Sequence, residues 1–276
     1  MKIAKILRRG VAIGTCIGLT LGCISCSQNN AKSVSQKEDR PRIIIGSDNY
    51  PPFNYEDADG KPAGIDVDLA TEAFDRLGYE AVFTYIDWEA KKQLVESGEI
   101  DCIWGSFSID GREEQYHWTT PYMTSSQVVA VSKDSDIYTL ANLEGKRVAV
   151  QSTTKPEELF ASHADPRIPE LVEVFSLQNR ELIYPFLSKG YADAVAAHET
   201  AIIQCMKDYD LEYRILDEPL LTVGLGVAFS KYDDRGIEKD LSQVFEKMRA
   251  DGTMEQILGR YLENPKDYLE VDAYEK

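Results

Sequence analysis

Once the first 26 residues are set aside, the chain keeps only two cysteines, Cys102 and Cys205. Two thiols cannot form a disulfide framework, and their apolar neighbours fit buried thiols better than nucleophiles. Basic charge is also scarce: 30 Lys and Arg stand against 47 Asp and Glu, a net charge of −17. That balance argues against a nucleic-acid partner, which needs a basic face. The apolar run Val11–Ile24 is too short to span a bilayer comfortably. No Gly-rich phosphate loop, nucleophile–base pair or spaced set of metal ligands is found. The chain is therefore expected to hold no cofactor and no metal, and to have no catalytic residues.

What is present describes a globular protein: 276 residues, 43% hydrophobic and 28% charged, enough for one large or two modest cores. The N-terminus reads as a targeting segment. Lys2, Lys5, Arg8 and Arg9 precede the apolar run, and small residues then lead to Cys23 and Cys26. Residues 1–26 resemble a bacterial lipoprotein signal peptide, with Cys26 (or Cys23) as the lipidated residue. Residues 27–41 are polar and aperiodic and read as a flexible tether.

From Arg42 onward, strand and helix signals alternate. Arg42–Ile45 is β-branched and bounded by Pro41 and Gly46. Two prolines, Pro51 and Pro52, then impose a non-helical loop. Ile65, Leu69, Ala73 and Leu77 repeat at helical spacing up to a Gly78 stop. A strand over Asp101–Trp104 is followed by Gly105-Ser106-Phe107-Ser108-Ile109-Asp110-Gly111-Arg112. Ser106, Ser108 and Arg112 thus stand at a strand's carboxyl end, where open α/β sheets bind ligands. Two hydroxyls and a guanidinium suit a carboxylate; a polar loop with a solvated Arg is the alternative.

A second unit echoes the first. Arg147-Val148-Ala149-Val150-Gln151-Ser152 parallels Arg42-Ile43-Ile44-Ile45-Gly46-Ser47, and Gly190–Asp193 parallels Gly98–Asp101, which places His198 opposite Ser106. Thr154 and Glu157 form a capping-box pattern, and the helix they open would present free N–H groups to an anion. If Thr154 only caps, Thr153 still faces the cleft. Ile237–Met248 and Gly252–Leu262 carry the closing helices, and an acidic tail follows Pro265 with no evident partner. The implied fold is α/β, with two lobes whose strand ends face a common cleft.

The order and spacing of several short motifs resemble the family 3 extracellular solute-binding proteins, receptors of ABC importers for polar amino acids and similar solutes. They are Tyr50-Pro51-Pro52-Phe53, Gly64-Ile65-Asp66-Val67-Asp68-Leu69-Ala70, Gly98-Glu99-Ile100-Asp101, Trp118-Thr119-Thr120-Pro121-Tyr122 and Leu143-Glu144-Gly145-Lys146. The resemblance covers roughly Arg42 to Leu262. It implies a periplasmic-binding-protein-like fold with a two-stranded hinge: residues 42–126 plus 223–263 as lobe 1, 127–222 as lobe 2, and 264–276 as the tail. It further implies that Tyr50 or Phe53 covers the ligand, and that Ser106, Phe107, Ser108, Arg112, Thr153 and Thr154 surround its carboxylate. His198 stands where the family usually has an Asp for the ligand ammonium. Either Glu199 or Asp48 takes that role, or the ligand is not a standard α-amino acid; His198 itself is a ligand contact or a packed core residue. An ABC permease partner, a monomeric state and a lipid-anchored, extracytoplasmic location complete the expectation. An enzyme such as a dehydratase, using His198 or Glu199 as acid or base, and a ligand-sensing domain are the alternatives.

Overall fold

The computed structural model describes residues 40–272. The expected signal peptide, Cys23, Cys26 and most of the tether lie outside them, as do the last four residues. The first half of the chain runs β1 (Arg42–Ser47), a small hairpin of β2 (Tyr55–Glu56) and β3 (Pro62–Ala63), α1 (Ile65–Arg76), β4 (Glu80–Tyr85), α2 (Lys91–Ser97), β5 (Cys102–Ile103) and β6 (Tyr116–Trp118). The long β7 (Met123–Ser132) leads into β8 (Arg147–Gln151), α3 (Lys155–Ser162), β9 (Glu173–Leu177), α4 (Ile183–Ser188), β10 (Ala194–His198), α5 (Glu199–Tyr209) and β11 (Tyr213–Ile215). The chain returns through β12 (Leu221–Leu225) and β13 (Ala228–Ser230) and closes with α6 (Ile237–Ala250) and α7 (Thr253–Leu258).

These strands form two sheets, one per lobe. The first has the order β4-β1-β5-β13-β6, with β1 parallel to β4 and β5 and the last strands antiparallel. The second has the order β11-β7-β10-β8-β9, with β12 also paired to β7. The lobes are joined where β7 and β12 run antiparallel, Ser126 opposite Thr222, their hydroxyls 3.1 Å apart. This is the two-stranded hinge, and both chain crossings sit in one ladder.

The helical spacing read from α1 has its packing counterpart. Ile65, Leu69, Ala73 and Phe74 are buried against Ile43, Ile45, Trp104, Phe229 and Phe245. Asp66, on the same helix, is fully buried as well, because it holds the loop above it. The entry into α1 requires a glycine. Gly64 has φ 123°, and a Cβ there would lie 2.2 Å from the Phe53 carbonyl oxygen. The second lobe encloses two smaller cores, one on each face of its sheet, around Val129, Val148 and Phe160 and around Val128, Ala149 and Ile202.

Two local expectations are corrected. Thr154 does not form the capping box with Glu157: its hydroxyl donates 2.6 Å to the Gln151 carbonyl. Glu157 accepts instead from the Thr153 N–H at 2.5 Å, because Thr153 turns through φ 58° and presents its own amide. The start of the acidic tail is not unpartnered. Residues Pro265–Tyr268 form a 3₁₀ turn, Val271 is buried, Tyr268 and Leu269 pack on the first lobe's core, and the Tyr268 carbonyl accepts from the Thr124 hydroxyl at 3.4 Å. Apolar spacing through Tyr268, Leu269 and Val271 anchors a segment whose composition reads as solvated. Cys102 and Cys205 are both buried free thiols; burial pushes Cys102 well above its ordinary value and Cys205 up to about 12.

Candidate functional site

A narrow cleft between the lobes gathers the Ser106 loop from one side and the middle of β7 with the ends of β8 and β10 from the other. From the first lobe it is lined by Trp88, Ser106, Phe107, Ser108 and Arg112. The hinge and second lobe contribute Gln127, Gln151, Thr153, Thr154, Arg180 and His198, with Ala196 and Ala197 as its floor.

The Ser106 loop is held from beneath. Asp66 accepts the Ser106 N–H at 2.8 Å and the Asn54 amide at 3.1 Å. Burial pushes the Asp66 carboxyl up to about 7 despite these donors. Ser106 adopts φ 45°, and Thr153 across the cleft φ 58°. Left-handed backbone at a non-glycine residue costs about 1–3 kcal/mol and concentrates where a site dictates geometry. The turn lets Ser106 keep its side chain towards the cleft, where its buried Oγ has no protein partner. Gly105 permits the approach: a Cβ there would meet Ser47 Oγ at 2.8 Å and the Trp88 ring at 3.3 Å.

Arg112 lies over the Phe107 ring at 5.3 Å, its side chain only 12% exposed. Its closest partners are the carbonyls of Ser108 at 3.3 Å and Thr153 at 3.4 Å, and its nearest carboxylate, Glu158, is 3.8 Å away. Burial lowers its pKa from the ordinary value, with Glu158 opposing. A half-buried guanidinium so loosely compensated is an electrostatic socket for an anion.

His198 is placed in the cleft but engaged. Its Nε2 lies 2.8 Å from Gln127 Nε2, and its Nδ1 lies 2.8 Å from Ser125 Oγ. An amide nitrogen can only donate, so Nε2 accepts and Nδ1 carries the proton. Burial, reinforced by the Arg180 charge, lowers the imidazole pKa to about 3, so it is neutral. Phe53 and Tyr50 pack around the ring at 5.6 and 5.9 Å.

Three expected site residues are placed elsewhere, and a fourth, Asp48, is tied to residues of the lining. Phe53 belongs to the first lobe's core. Tyr50 is fully buried, its hydroxyl accepting from the His198 N–H at 3.1 Å and its ring lying 3.3 Å beneath the Arg180 guanidinium. Neither lines the cleft; Trp88 and Phe107 are the aromatics that do. Glu199 opens α5 and is half-buried away from the cleft lining. Asp48 is engaged across the cleft: its Oδ2 accepts from Arg180 Nη2 at 3.1 Å, Arg180 Nε at 3.2 Å and Gln151 Nε2 at 3.0 Å.

That Asp48 cluster is part of a set of bonds holding the lobes together. Lys91 donates to Thr153 Oγ1 at 2.7 Å, Ser152 Oγ to Glu89 at 2.5 Å, Gln178 to Asp87 at 2.7 Å, and Asn49 to Glu181. Lys91 is 5% exposed; burial, with the Arg112 charge second, lowers its ammonium pKa to about 7. Neither Arg180 nor Lys91 has a signal in the sequence, since each reaches a side-chain partner on the other lobe.

The model of the bacterial extracellular solute-binding proteins, family 3, matches residues 43–264. The chain belongs to this family. A histidine-binding periplasmic protein of Salmonella typhimurium is 34% identical over 243 residues, covering 84% of this chain and 89% of that protein. The L-cystine-binding protein TcyJ of Escherichia coli is 25% identical, covering 93% and 96%. Among solved structures, an ancestral arginine-binding protein bound to glutamine superposes with TM-score 0.73 at 26% identity, covering 81% of this chain and 98% of its own. A substrate-binding protein of an ABC uptake transporter from Streptococcus pneumoniae, with bound histidine, gives TM-score 0.74 at 25% identity, covering 80% and 92%. Family membership accounts for the two lobes and the β7–β12 hinge. Among the described residues no helix is long and apolar enough to cross a membrane.

Proposed function

We propose that this protein is an extracytoplasmic receptor of an ABC importer that closes its two lobes on a small carboxylate, an amino acid or a close relative, and delivers it to the permease. The observation that carries this reading is Arg112: half-buried, lining the cleft, stacked on Phe107, and compensated by two long carbonyl bonds and a carboxylate at 3.8 Å. Ser106 Oγ beside it is buried and unpartnered. A ligand carboxylate would accept from both, with Ser108 and the Thr153–Thr154 turn at hand. The relatives named for histidine and cystine, and the arginine-binding neighbour bound to glutamine, are in keeping with an α-carboxylate as the shared element.

Binding is favoured over catalysis because His198 has both ring nitrogens in protein hydrogen bonds and Glu199 lies away from the lining. We take the receptor to be a monomer tethered through diacylglycerol on Cys26 (or Cys23). Mass spectrometry of the mature N-terminus tests the anchor; an unlipidated chain starting beyond Cys26 would reject it.

The ligand reading is tested by thermal-shift screening of small carboxylates beside their decarboxylated amines, such as histidine with histamine. A ligand at a hundred times its Kd adds about 2.7 kcal/mol of apparent stability. The acids are expected to stabilise and the amines not. Stabilisation by an uncharged sugar, and by no acid, would overturn the reading.

A further inference from the structure

If the cleft takes a carboxylate, its lining also constrains the group beside that carboxylate. Among the described lining residues the charged ones are Arg112, Lys155 and Arg180; none is Asp or Glu. The nearest acids are already engaged. Asp48, outside the lining, holds Arg180 and Gln151 through Oδ2 and keeps a buried Oδ1 without a protein partner, and Glu158 holds Lys155 at 2.8 Å while facing solvent with half its side chain. What the lining offers in place of a carboxylate is two neutral acceptors. Gln127 and Gln151 are each 3% exposed, and the Oε1 of each is buried with no protein partner.

The orientation of Gln151 is set by its neighbours. Gln151 Nε2 donates to Asp48 Oδ2 at 3.0 Å and to the Gln178 carbonyl at 3.4 Å, two groups that only accept. Its oxygen is therefore the atom left over. Gln127 pairs through its Nε2 with His198 Nε2, and the other ring nitrogen faces Ser125 Oγ, so the amide orientation and the His198 tautomer are fixed together. An unpartnered buried amide oxygen is costly, and two of them in one cleft are matched by a ligand that donates. An ammonium there would meet neutral oxygens with the Arg180 charge close by, and the neighbouring Asp48 carboxylate is already paired with that arginine.

We propose that the ligand is a net-anionic acid whose second polar group is an uncharged donor, a hydroxyl or an amide N–H, held by the Oε1 atoms of Gln127 and Gln151 rather than by a carboxylate. Gln127 and Gln151 are then specificity-determining residues, and His198 positions Gln127. This deepens the carboxylate reading of the same cleft and rests on it.

Calorimetry on the wild-type protein with matched acids decides the point. The probes are L-histidine with L-imidazolelactate, L-glutamate with L-2-hydroxyglutarate, L-leucine with L-2-hydroxyisocaproate, and the N-acetyl form of each amino acid. In the pair that binds, the hydroxy or N-acetyl acid is expected to bind at least tenfold more tightly than the α-amino acid. In His198→Asp, which puts a carboxylate into the lining, that order should reverse; the wild-type comparison stands by itself if this variant does not fold. Tighter binding of the α-amino acid by wild type would overturn the inference and leave the carboxylate reading intact. Binding of no member of any pair would count against both.

Discussion

Acidification should unfold this protein through His198, and the effect can be isolated. The imidazole is fully buried, hydrogen-bonded as a neutral ring, and its pKa falls from 6.5 to about 3. A base whose folded pKa is depressed contributes stability that is present above its unfolded value and lost as pH falls towards the folded one. The unfolded chain takes up the proton below pH 6.5, whereas the folded chain refuses it until about 3. Each pH unit in that window costs about 1.4 kcal/mol, so moving from pH 7 to pH 5 removes about 2 kcal/mol. The assay is urea unfolding of wild type and His198→Gln at pH 7, 6 and 5. Glutamine keeps a polar head near Gln127 and Ser125 but does not titrate, so contributions from Asp66 and the surface carboxylates cancel in the difference. His198→Gln is expected to lose less stability than wild type on acidification, by about 2 kcal/mol at pH 5, equivalent to roughly 0.7–1 M in urea midpoint for an m-value of about 2–3 kcal/mol/M. A stability difference between the two proteins that stays constant from pH 7 to pH 5 would refute the buried neutral imidazole.

Other expectations concern the closed cleft. Arg180→Ala leaves the Asp48 carboxylate buried without its cation, a loss of about 3–5 kcal/mol unless the lobes part and hydrate it; under saturating ligand, small-angle scattering should show a larger radius of gyration for the variant than for wild type, and unchanged scattering with unchanged stability would contradict a role of the Asp48–Arg180 pair in closure. Lys91 loses its charge as pH rises through about 7, so affinity for an anionic ligand should fall severalfold between pH 6 and 8.5. Lys91→Met should flatten that pH dependence, and an equally steep profile in the variant would rule Lys91 out as its source. A saturating ligand should compact wild type in the same scattering experiment by hinge bending at β7 and β12.

Much of the scaffold could be read from the residues because its signals are local. The period of α1, the glycine stops at Gly78 and Gly98, and the β-branched run of β1 each report on a few neighbouring residues. The two hinge crossings fall at Ser126 and Thr222, which face each other in one ladder. The loop from Ser106 to Arg112 could be located because a strand end, two hydroxyls and a cation are contiguous. Contacts between the lobes are a different matter. Asp48 and Arg180 are 132 residues apart, and Lys91 reaches Thr153 from 62 residues away. No window of sequence contains either pair. Tyr50 and Phe53 illustrate the converse error. An aromatic in a ligand-side loop can cover a ligand or fill the core beneath it, and here packing against His198 and the Arg180 stack take both rings inward. The Thr154–Glu157 spacing allowed a capping box, but the left-handed turn at Thr153 redirected Glu157, and a backbone turn of that kind at a threonine has no sequence signature.

The central claim is that Arg112 holds a ligand carboxylate between the lobes. Titration calorimetry of wild type, Arg112→Ala and Arg112→Lys, with the acid that stabilises wild type most in the thermal screen, tests it directly. A charge-assisted hydrogen bond contributes about 1.5–3 kcal/mol, so Arg112→Ala should weaken binding by roughly ten- to a hundredfold or more. Arg112→Lys should recover only part of the loss, because an ammonium lacks the planar fork that matches two carboxylate oxygens. A folded Arg112→Ala protein that binds the acid as tightly as wild type would contradict the account.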